Sequence, residues 1–120
     1  MTPEELFAGL EGGTLEPAAF HHEQHVAAAW AALRHPDGGD RIRRGLRALA
    51  ARAGVPERYD DHLTLAFLHL IEDRRQVLPG ATWAEFRAAF PELFDLGRAK
   101  AALAAPAPKR AGDWGLEAGD

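Results

Sequence analysis

The sequence predicts an all-α protein, a small helical bundle of about four to five helices with a mobile C-terminal tail. Three observations indicate this fold. Apolar residues recur at spacings of three and four along most of the chain, and no window alternates between apolar and polar residues as a strand would. Glycine and proline clusters divide the chain into short segments that begin with capping residues. The length of 120 residues, with 47% hydrophobic and 27% charged residues, fits one soluble domain.

The first two predicted helices are bounded by capping and stop signals. A capping-box pattern at residues 2–5, with proline at the first helical position, begins the first helix, and a glycine pair at 12–13 ends it. The second helix is expected over residues 17–34, because it starts at a proline and is followed by a His-Pro pair and a glycine turn.

The later helices are predicted from the same kinds of signal. A third helix over 40–52 has an aspartate as its cap and is ended by a glycine and a proline. A fourth runs from residue 57 or 59 to residue 75, and a second capping box opens a fifth over 82–90. Residues 99–105 have room for one more short helix.

These elements are expected to form a single helical domain over residues 1–105. From residue 106 the composition turns to alanine, proline, glycine and charged residues. Residues 106–120 are therefore expected to be a flexible tail.

The composition excludes several classes of function. The chain has no cysteine and no serine, which rules out disulfides, thiolate and serine nucleophiles, iron–sulfur clusters and Cys-rich zinc sites. With 14 basic and 18 acidic residues the net charge is −4, and no Lys/Arg block stands out, so we expect no nucleic-acid partner. The carboxylates and six histidines remain as the available functional chemistry.

The sequence carries no signal for a membrane or for export. No segment reaches the roughly 18 uninterrupted apolar residues that a membrane-spanning helix needs. The first residues are acidic and lack the basic-then-apolar order of a signal peptide. We therefore expect a cytoplasmic protein with no membrane partner.

Two histidines on the second predicted helix form a candidate metal half-site. His22 and His25 lie on the apolar stripe that continues through Val26 and Trp30 and faces the core. Neutral imidazoles one helical turn apart can bind zinc, iron, nickel or copper. His21 lies off this stripe but four residues before His25, so these two are a second candidate pair. The alternative is that they are surface histidines, or core histidines satisfied by backbone carbonyls.

The start of the fourth predicted helix supplies a candidate third ligand. Asp60, Asp61 and His62 fall within one turn, and either Asp60 or His62 could meet the two inward histidines. Two histidines and one carboxylate leave open coordination positions, as in non-haem iron oxygenases and catalytic zinc sites. The alternative is that the two aspartates cap the helix and favour the positive end of its dipole. Beside such a metal, Glu23 and Asp61 are the candidate catalytic residues that would move protons.

Other polar and aromatic residues have simpler interpretations. Arg43 and Arg47 share one face of the third helix, which is expected to be solvated, although one arginine could clamp a ligand carboxylate. His69 is expected to be a buried or rim histidine rather than a ligand. Four aromatic residues fall at core spacing and are expected to be packing: Trp30, Trp83, Phe86 and Phe90.

The opening stretch of the second helix resembles a family of small, mostly uncharacterised bacterial helical proteins. Residues 20–30 read Phe-His-His-Glu-Gln-His-Val-Ala-Ala-Ala-Trp, and the family motif is Phe-x-His-x-x-His-(Val/Ile/Leu)-x-x-Ala-Trp. The match selects His22 and His25 over His21, because the residue at that position varies in the family.

Two later stretches are similar to the same family, so that the resemblance covers residues 15–96. Residues 43–59 are similar to its Ile-Arg-Arg … Gly-x-Pro-x-Lys-Tyr pattern, and residues 90–95 to its His-Pro-Glu-Leu-Leu pattern. In the family that tyrosine is followed by His-Glu-Thr-x-Thr, whereas here Asp60 follows it and a histidine stands at position 62. The resemblance implies a metal site in which Asp60 replaces the third histidine, His62 has taken its place, or the site is degraded. It implies no particular reaction.

Two functions from different classes follow from these residues. The first is a metal-dependent enzyme or binding protein, in which a divalent transition metal (Zn, Fe, Ni or Cu) binds a small-molecule ligand. Its ligands would be His22 and His25 with Asp60 or His62. The second is a non-catalytic interaction module whose alanine-rich faces form a homodimer or cover a partner. A pH-responsive histidine cluster without metal is a third interpretation. A concave apolar substrate pocket beside the histidines is the feature that would distinguish an enzyme from an interaction module.

Overall fold

The fold is all-helical, as the sequence predicts. The computed structural model describes residues 1–104, which contain six α-helices and no strand. The helices are α1 Pro3–Gly12, α2 His22–Ala32, α3 Gly38–Arg52, α4 Asp61–Val77, α5 Trp83–Ala89 and α6 Leu96–Ala104. Three short 3-10 turns precede α2, α4 and α6: Pro17–Ala19, Pro56–Arg58 and Pro91–Phe94. The predicted count of four to five helices is therefore slightly low, and the tail predicted over 106–120 lies outside the described residues.

Capping boxes begin α1 and α5 at the predicted positions. The Thr2 Oγ1 accepts a hydrogen bond from the Glu5 amide at 3.1 Å, and Glu5 Oε1 accepts one from the Thr2 amide at 2.8 Å. The same reciprocal pair joins Thr82 and Glu85 at 3.2 and 2.9 Å. Each box satisfies two backbone N–H groups that lack a partner within the helix, which explains why the local sequence places these starts well.

The start of α2 differs from the prediction. Residues 17–19 form a separate 3-10 turn, and α2 begins only at His22, where the amide of His21 donates to Gln24 Oε1 at 2.9 Å. Between the two elements Phe20 turns into the core, and its ring centroid lies 4.5 Å from that of His25. This break places both predicted histidine ligands in the first turn of α2.

Three later helices also begin at residues other than those predicted. α3 begins at Gly38 rather than 40, and α6 at Leu96 rather than 99. α4 begins at Asp61 rather than at 57 or 59, because residues 56–58 form a 3-10 turn and Asp60 caps the helix after it. The Asp60 carboxylate accepts a hydrogen bond from the Leu63 amide at 3.0 Å, which is the capping role weighed for this residue in the sequence.

The central helix of the fold is α2. Its residues from Val26 to Ala32 are all buried, because α1, α3 and α4 pack around it. Alanine suits this position, since small side chains let neighbouring helices approach closely. A Cβ atom on Gly38 would lie 1.7 Å from the carbonyl oxygen of Ala32, so a glycine is required where α3 starts against the end of α2. Among residues 1–104, none of the helices has the length and apolar composition that spanning a membrane requires.

The aromatic residues predicted to be packing lie together between α2 and α5. The ring centroids of Trp30 and Trp83 are 5.3 Å apart, and those of Phe86 and Phe90 are 5.2 Å apart. Phe86 has no exposed surface. This cluster anchors the C-terminal half of α2, so that the histidine-bearing first turn of α2 stands at the other end of the helix.

Candidate functional site

An open cavity lies beside the first turn of α2. Its volume is about 510 Å³, within the roughly 300–1,000 Å³ that is typical of small-molecule sites. Residues of α2, α3 and α4 form most of the wall, and residues of α6 and of the first two 3-10 turns complete it. The wall is mainly apolar and includes Phe20, Val26, Ile42, Leu46, Leu49, Leu63, Phe67 and Ile71. A wall of this composition favours a ligand whose body is apolar.

Three of the six predicted site residues contribute to the wall of this cavity. They are His22, His25 and Asp60. The other three are placed elsewhere: Glu23, Asp61 and His62. His22, His25 and Asp60 therefore line one cavity, and the predicted proton carriers Glu23 and Asp61 are not part of its wall.

The ring of His22 is held by the backbone of the last 3-10 turn. Its Nε2–H donates to the carbonyl oxygen of Leu93 at 2.7 Å, and its ring centroid lies 5.7 Å from that of Phe67. The donated hydrogen bond fixes the proton on Nε2 in the neutral ring, so Nδ1 is the nitrogen left with a lone pair. His22 thus has the carbonyl-satisfied geometry that the sequence left open as an alternative.

His25 lies at the mouth of the same cavity. Protein atoms around the ring lower the pKa of His25, and the neighbouring His22 lowers it further. The residue as a whole remains exposed, so the ring is enclosed on one side, by Phe20 among others, rather than sealed in the core. The low pKa keeps the imidazole neutral near pH 7, a state in which one ring nitrogen can donate a hydrogen bond and the other can accept one.

Asp61 is engaged in an ion pair with α3. Its two carboxylate oxygens accept hydrogen bonds from Arg43 Nε and Nη2 at 2.9 and 2.6 Å, and the Tyr59 hydroxyl donates to it at 2.6 Å. Hydrogen bonds from Arg43 and then Tyr59 lower the pKa of Asp61 to about 2. A carboxylate held in this way is a weak proton acceptor at neutral pH, so this geometry disfavours the predicted catalytic role, which stays a prediction.

The remaining predicted residues lie on the surface. Glu23 is exposed and pairs with Arg87, with an oxygen-to-nitrogen distance of 2.6 Å. His62 is exposed and does not contribute to the cavity wall. Neither side chain lines the cavity, so neither is placed to transfer a proton to a molecule bound there.

The residues as placed do not fit the predicted three-ligand metal centre. Within residues 1–104 no group of three or more His, Asp or Glu side chains is arranged to hold a metal ion. The Nε2 of His22 is committed to Leu93, and the carboxylate of Asp60 caps α4. A divalent transition metal at these positions therefore stays a prediction, and binding through Nε2 of His22 would require that ring to leave the Leu93 carbonyl.

Two cationic side chains that the sequence did not single out line the cavity. Arg58, at the end of the second 3-10 turn, and Lys100, in the middle of α6, both contribute to the wall. Neither makes an ion pair within the described part of the chain. Asp60 is the acidic residue of the wall, and its carboxylate accepts a hydrogen bond from the Leu63 amide at the start of α4. The cavity therefore combines an apolar interior with unpaired positive charge.

No local sequence signal could have identified this pair of cations. Arg58 and Lys100 are separated by two helices along the chain and come together only around the cavity. The acceptor for His22 is likewise 71 residues away in sequence. Contacts of this range depend on the tertiary structure rather than on spacing within one helix.

A second cavity, of about 590 Å³, lies between the tryptophans of α2 and α5 and the C-terminal part of α4. Its arginines are already paired. Arg34 meets Glu4 at 2.7 Å, and Arg75 meets Glu72 at 2.6 Å. This second cavity therefore presents less unpaired charge than the cavity at the first turn of α2. The cavity at the first turn of α2 is the candidate site.

No protein-family model, no characterised protein and no solved structure matches this chain. The resemblance to the bacterial helical family therefore stays a prediction. Function is accordingly inferred from the chemistry of the site rather than from the fold.

Proposed function

We propose that the protein binds a small amphipathic molecule, with an apolar body and an anionic group, in the cavity at the first turn of α2. The observation that carries the proposal is the pairing of an apolar wall with two cations, Arg58 and Lys100, that have no ion pair among the described residues. An apolar ligand body gains about 25 cal/mol for each Å² removed from water. A carboxylate at its end gives the two cations the partner that they lack.

The two histidines orient the ligand in this proposal. His22 donates its Nε2–H to Leu93, so in the neutral form of this ring Nδ1 is the nitrogen that can accept a hydrogen bond. His25 is neutral near pH 7, because enclosure by protein lowers its pKa. Neutral imidazoles add directional hydrogen bonds without adding charge to the apolar wall.

The proposal is one of binding rather than of turnover. Asp61 and Glu23, the carboxylates predicted to move protons, are each committed to an arginine, Arg43 and Arg87. A carboxylate that is already held by a cationic partner gives little general-base catalysis.

A comparison of a carboxylate with its uncharged analogue tests this function. Decanoate should bind with a measurable affinity by titration calorimetry. The double variant Arg58→Gln/Lys100→Gln should weaken decanoate binding about tenfold or more, because each lost contact is a hydrogen bond to a charged group. Decan-1-ol, which carries no charge, should bind both proteins with similar affinity.

The control variant is Arg44→Gln/Arg98→Gln, which changes the net charge equally at exposed residues outside the cavity wall. This control should bind decanoate as the parent does. Absence of decanoate binding by the parent, or an equal loss of affinity in the control, would contradict the proposed function.

A metal-dependent function is the second candidate, because His22 and His25 face the same cavity. It predicts that protein purified without chelator contains stoichiometric zinc, iron, nickel or copper by elemental analysis. The metal should be lost in His22→Ala/His25→Ala and retained in His21→Ala/His35→Ala. Protein without metal that also fails to bind these ions on titration would rule this candidate out.

A further inference from the structure

The candidate cavity becomes steadily more buried along α4. Three residues of its wall follow one another on this helix at a spacing of four: Leu63, Phe67 and Ile71. Leu63 is 36% exposed, Phe67 is half-buried, and Ile71 is only 2% exposed. The cavity therefore has an open end beside the start of α4 and an inner end in the core.

The wall that α2 contributes shows the same gradient, and the two helices run in the same direction. His25 is exposed, whereas Ala29, one turn further along α2, is buried. The ring of His22 lies 5.7 Å from that of Phe67, and near the other end Arg75 of α4 donates to the carbonyl oxygen of α2's following residue 33 at 3.2 Å. The first turn of α2 is therefore aligned with the open part of the cavity.

Ala29 and Ile71 form the inner end. Both line the cavity, and along the chain both fall between the two contacts that align α2 with α4. The next residue on each helix, Trp30 and Glu72, lines the second cavity instead. Among residues 1–104, no residue lines both cavities. The layer that contains Ala29 and Ile71 therefore separates the candidate cavity from the second one.

The depth of the candidate cavity follows from the geometry of α4. Ile71 comes two spacings of four after Leu63, which is about 12 Å along the helix axis. An extended hydrocarbon chain advances about 1.25 Å per carbon, because its bonds of about 1.5 Å zigzag at the tetrahedral angle. The distance from the open end to the inner end therefore corresponds to about ten carbons. Arg58 precedes α4 and lines the cavity, so it stands at the open end.

We propose that the cavity selects straight-chain carboxylates by length and accepts chains of up to about ten carbons. The carboxylate lies at the open end near Arg58, and the chain end meets Ala29 and Ile71. Carbons beyond the limit stay at the open end in water and add nothing to the buried apolar area. This inference rests on the proposed function and deepens it, because it names medium-chain monocarboxylates as the class of ligand.

A series of carboxylates of increasing length tests the limit in the parent protein. Titration calorimetry is carried out with hexanoate, octanoate, decanoate, dodecanoate and tetradecanoate, each below the concentration at which it forms micelles. Each methylene added up to decanoate should tighten binding by up to about fourfold. Dodecanoate and tetradecanoate should bind within about twofold of decanoate. An affinity that keeps rising through tetradecanoate would overturn selection by length and would leave the proposed function standing.

A residue at the inner end should set the position of the limit. Ala29→Leu adds three carbon atoms there, so the limit should move to about eight carbons and decanoate should bind no more tightly than octanoate. The matched control is Ala53→Leu, which makes the same change at an exposed residue of the cavity wall. In the control the limit should stay at about ten carbons. An equal shift of the limit in both variants, or no shift in a folded Ala29→Leu, would contradict the assigned inner end. The series on the parent needs no variant and still tests the limit if Ala29→Leu does not fold.

Straight-chain alcohols separate the length limit from the recognition of charge. Octan-1-ol, decan-1-ol and dodecan-1-ol should reach the same limit in the parent and in Arg58→Gln/Lys100→Gln, because neither cation lies at the inner end. Alcohols that show the limit while carboxylates bind no more tightly would overturn the anionic part of the proposed function and support the length limit. If neither series binds, both the proposed function and the length limit are wrong.

Discussion

At the residue scale, the site is shaped by hydrogen bonds that commit polar groups before any ligand arrives. Asp61 accepts from both Arg43 and Tyr59, which lowers its pKa and fixes α4 against α3. His22 donates to the carbonyl of Leu93 and joins α2 to the last 3-10 turn. These groups act mainly in positioning helices. Arg58 and Lys100, in contrast, make no ion pair with the described residues.

The dependence of stability on pH should come in part from His25. The ordinary pKa of a histidine side chain is 6.5. In the folded protein the pKa of His25 is lowered to about 4, because protein atoms enclose the ring and His22 lies nearby. Between these values the unfolded chain binds a proton that the folded protein does not. The contribution of the neutral His25 ring to the free energy of unfolding is therefore fully present above pH 6.5. It is lost as the pH falls toward about 4, the pKa of His25 in the folded protein.

Urea unfolding of the parent and of His25→Gln measures this effect. Between about pH 7 and about pH 5 the free energy of unfolding should fall more in the parent than in the variant. An unchanged pH dependence in His25→Gln would show that this ring does not titrate as described.

At the element scale, helix ends that are defined by contacts three or four residues apart can be predicted from the sequence, whereas ends that depend on tertiary packing cannot. The capping boxes at Thr2 and Thr82 each involve residues three apart, and they were predicted correctly. The starts of α2 and α4 were placed too early, because each is preceded by a 3-10 turn whose end depends on tertiary packing. Phe20 illustrates the cause, since its burial in the core interrupts a stretch with helical periodicity.

The same distinction explains what could be predicted of the candidate site. The His22/His25 pair was found because both residues lie on one turn of one helix. The Arg43–Asp61 pair joins residues 18 apart, and this separation lies beyond the reach of helical spacing. The sequence predicts Asp61 as a proton carrier beside a metal, and spacing within one helix does not reveal its ion pair with Arg43 on another helix.

The contact between α3 and α2 predicts a sharp difference between two neighbouring glycines. A Cβ atom at position 38 would lie 1.7 Å from the Ala32 carbonyl oxygen, whereas one at position 39 meets nothing within 4 Å. Gly38→Ala should therefore destabilise the protein by about 2 kcal/mol or more, because the start of α3 must move away from α2.

Gly39→Ala is the matched control, because it adds the same methyl group in the same helix. It should be neutral or stabilising by up to about 1 kcal/mol, since alanine favours the helix over glycine. Urea unfolding measures both free energies. Equal stability of the two variants would contradict the close approach of α3 to the end of α2.

At the scale of the whole molecule, the two ends of α2 have different roles. The C-terminal half packs into an aromatic cluster with α5, while the first turn borders an apolar cavity that α3, α4 and α6 complete. The tightly packed half of α2 thus holds the half that borders the cavity in place. The homodimer, the absence of a nucleic-acid partner and the cytoplasmic location stay predictions of the sequence.

Amide chemical-shift mapping during a decanoate titration shows whether the cavity at the first turn of α2 binds an anionic amphipathic molecule. We expect saturable shifts at amides around the cavity wall, including those of Leu46, Leu63 and Phe67, and little change around Trp83 and Gln76 beside the second cavity. Shifts confined to the second cavity, or no saturable shifts at all, would contradict binding in the cavity at the first turn of α2.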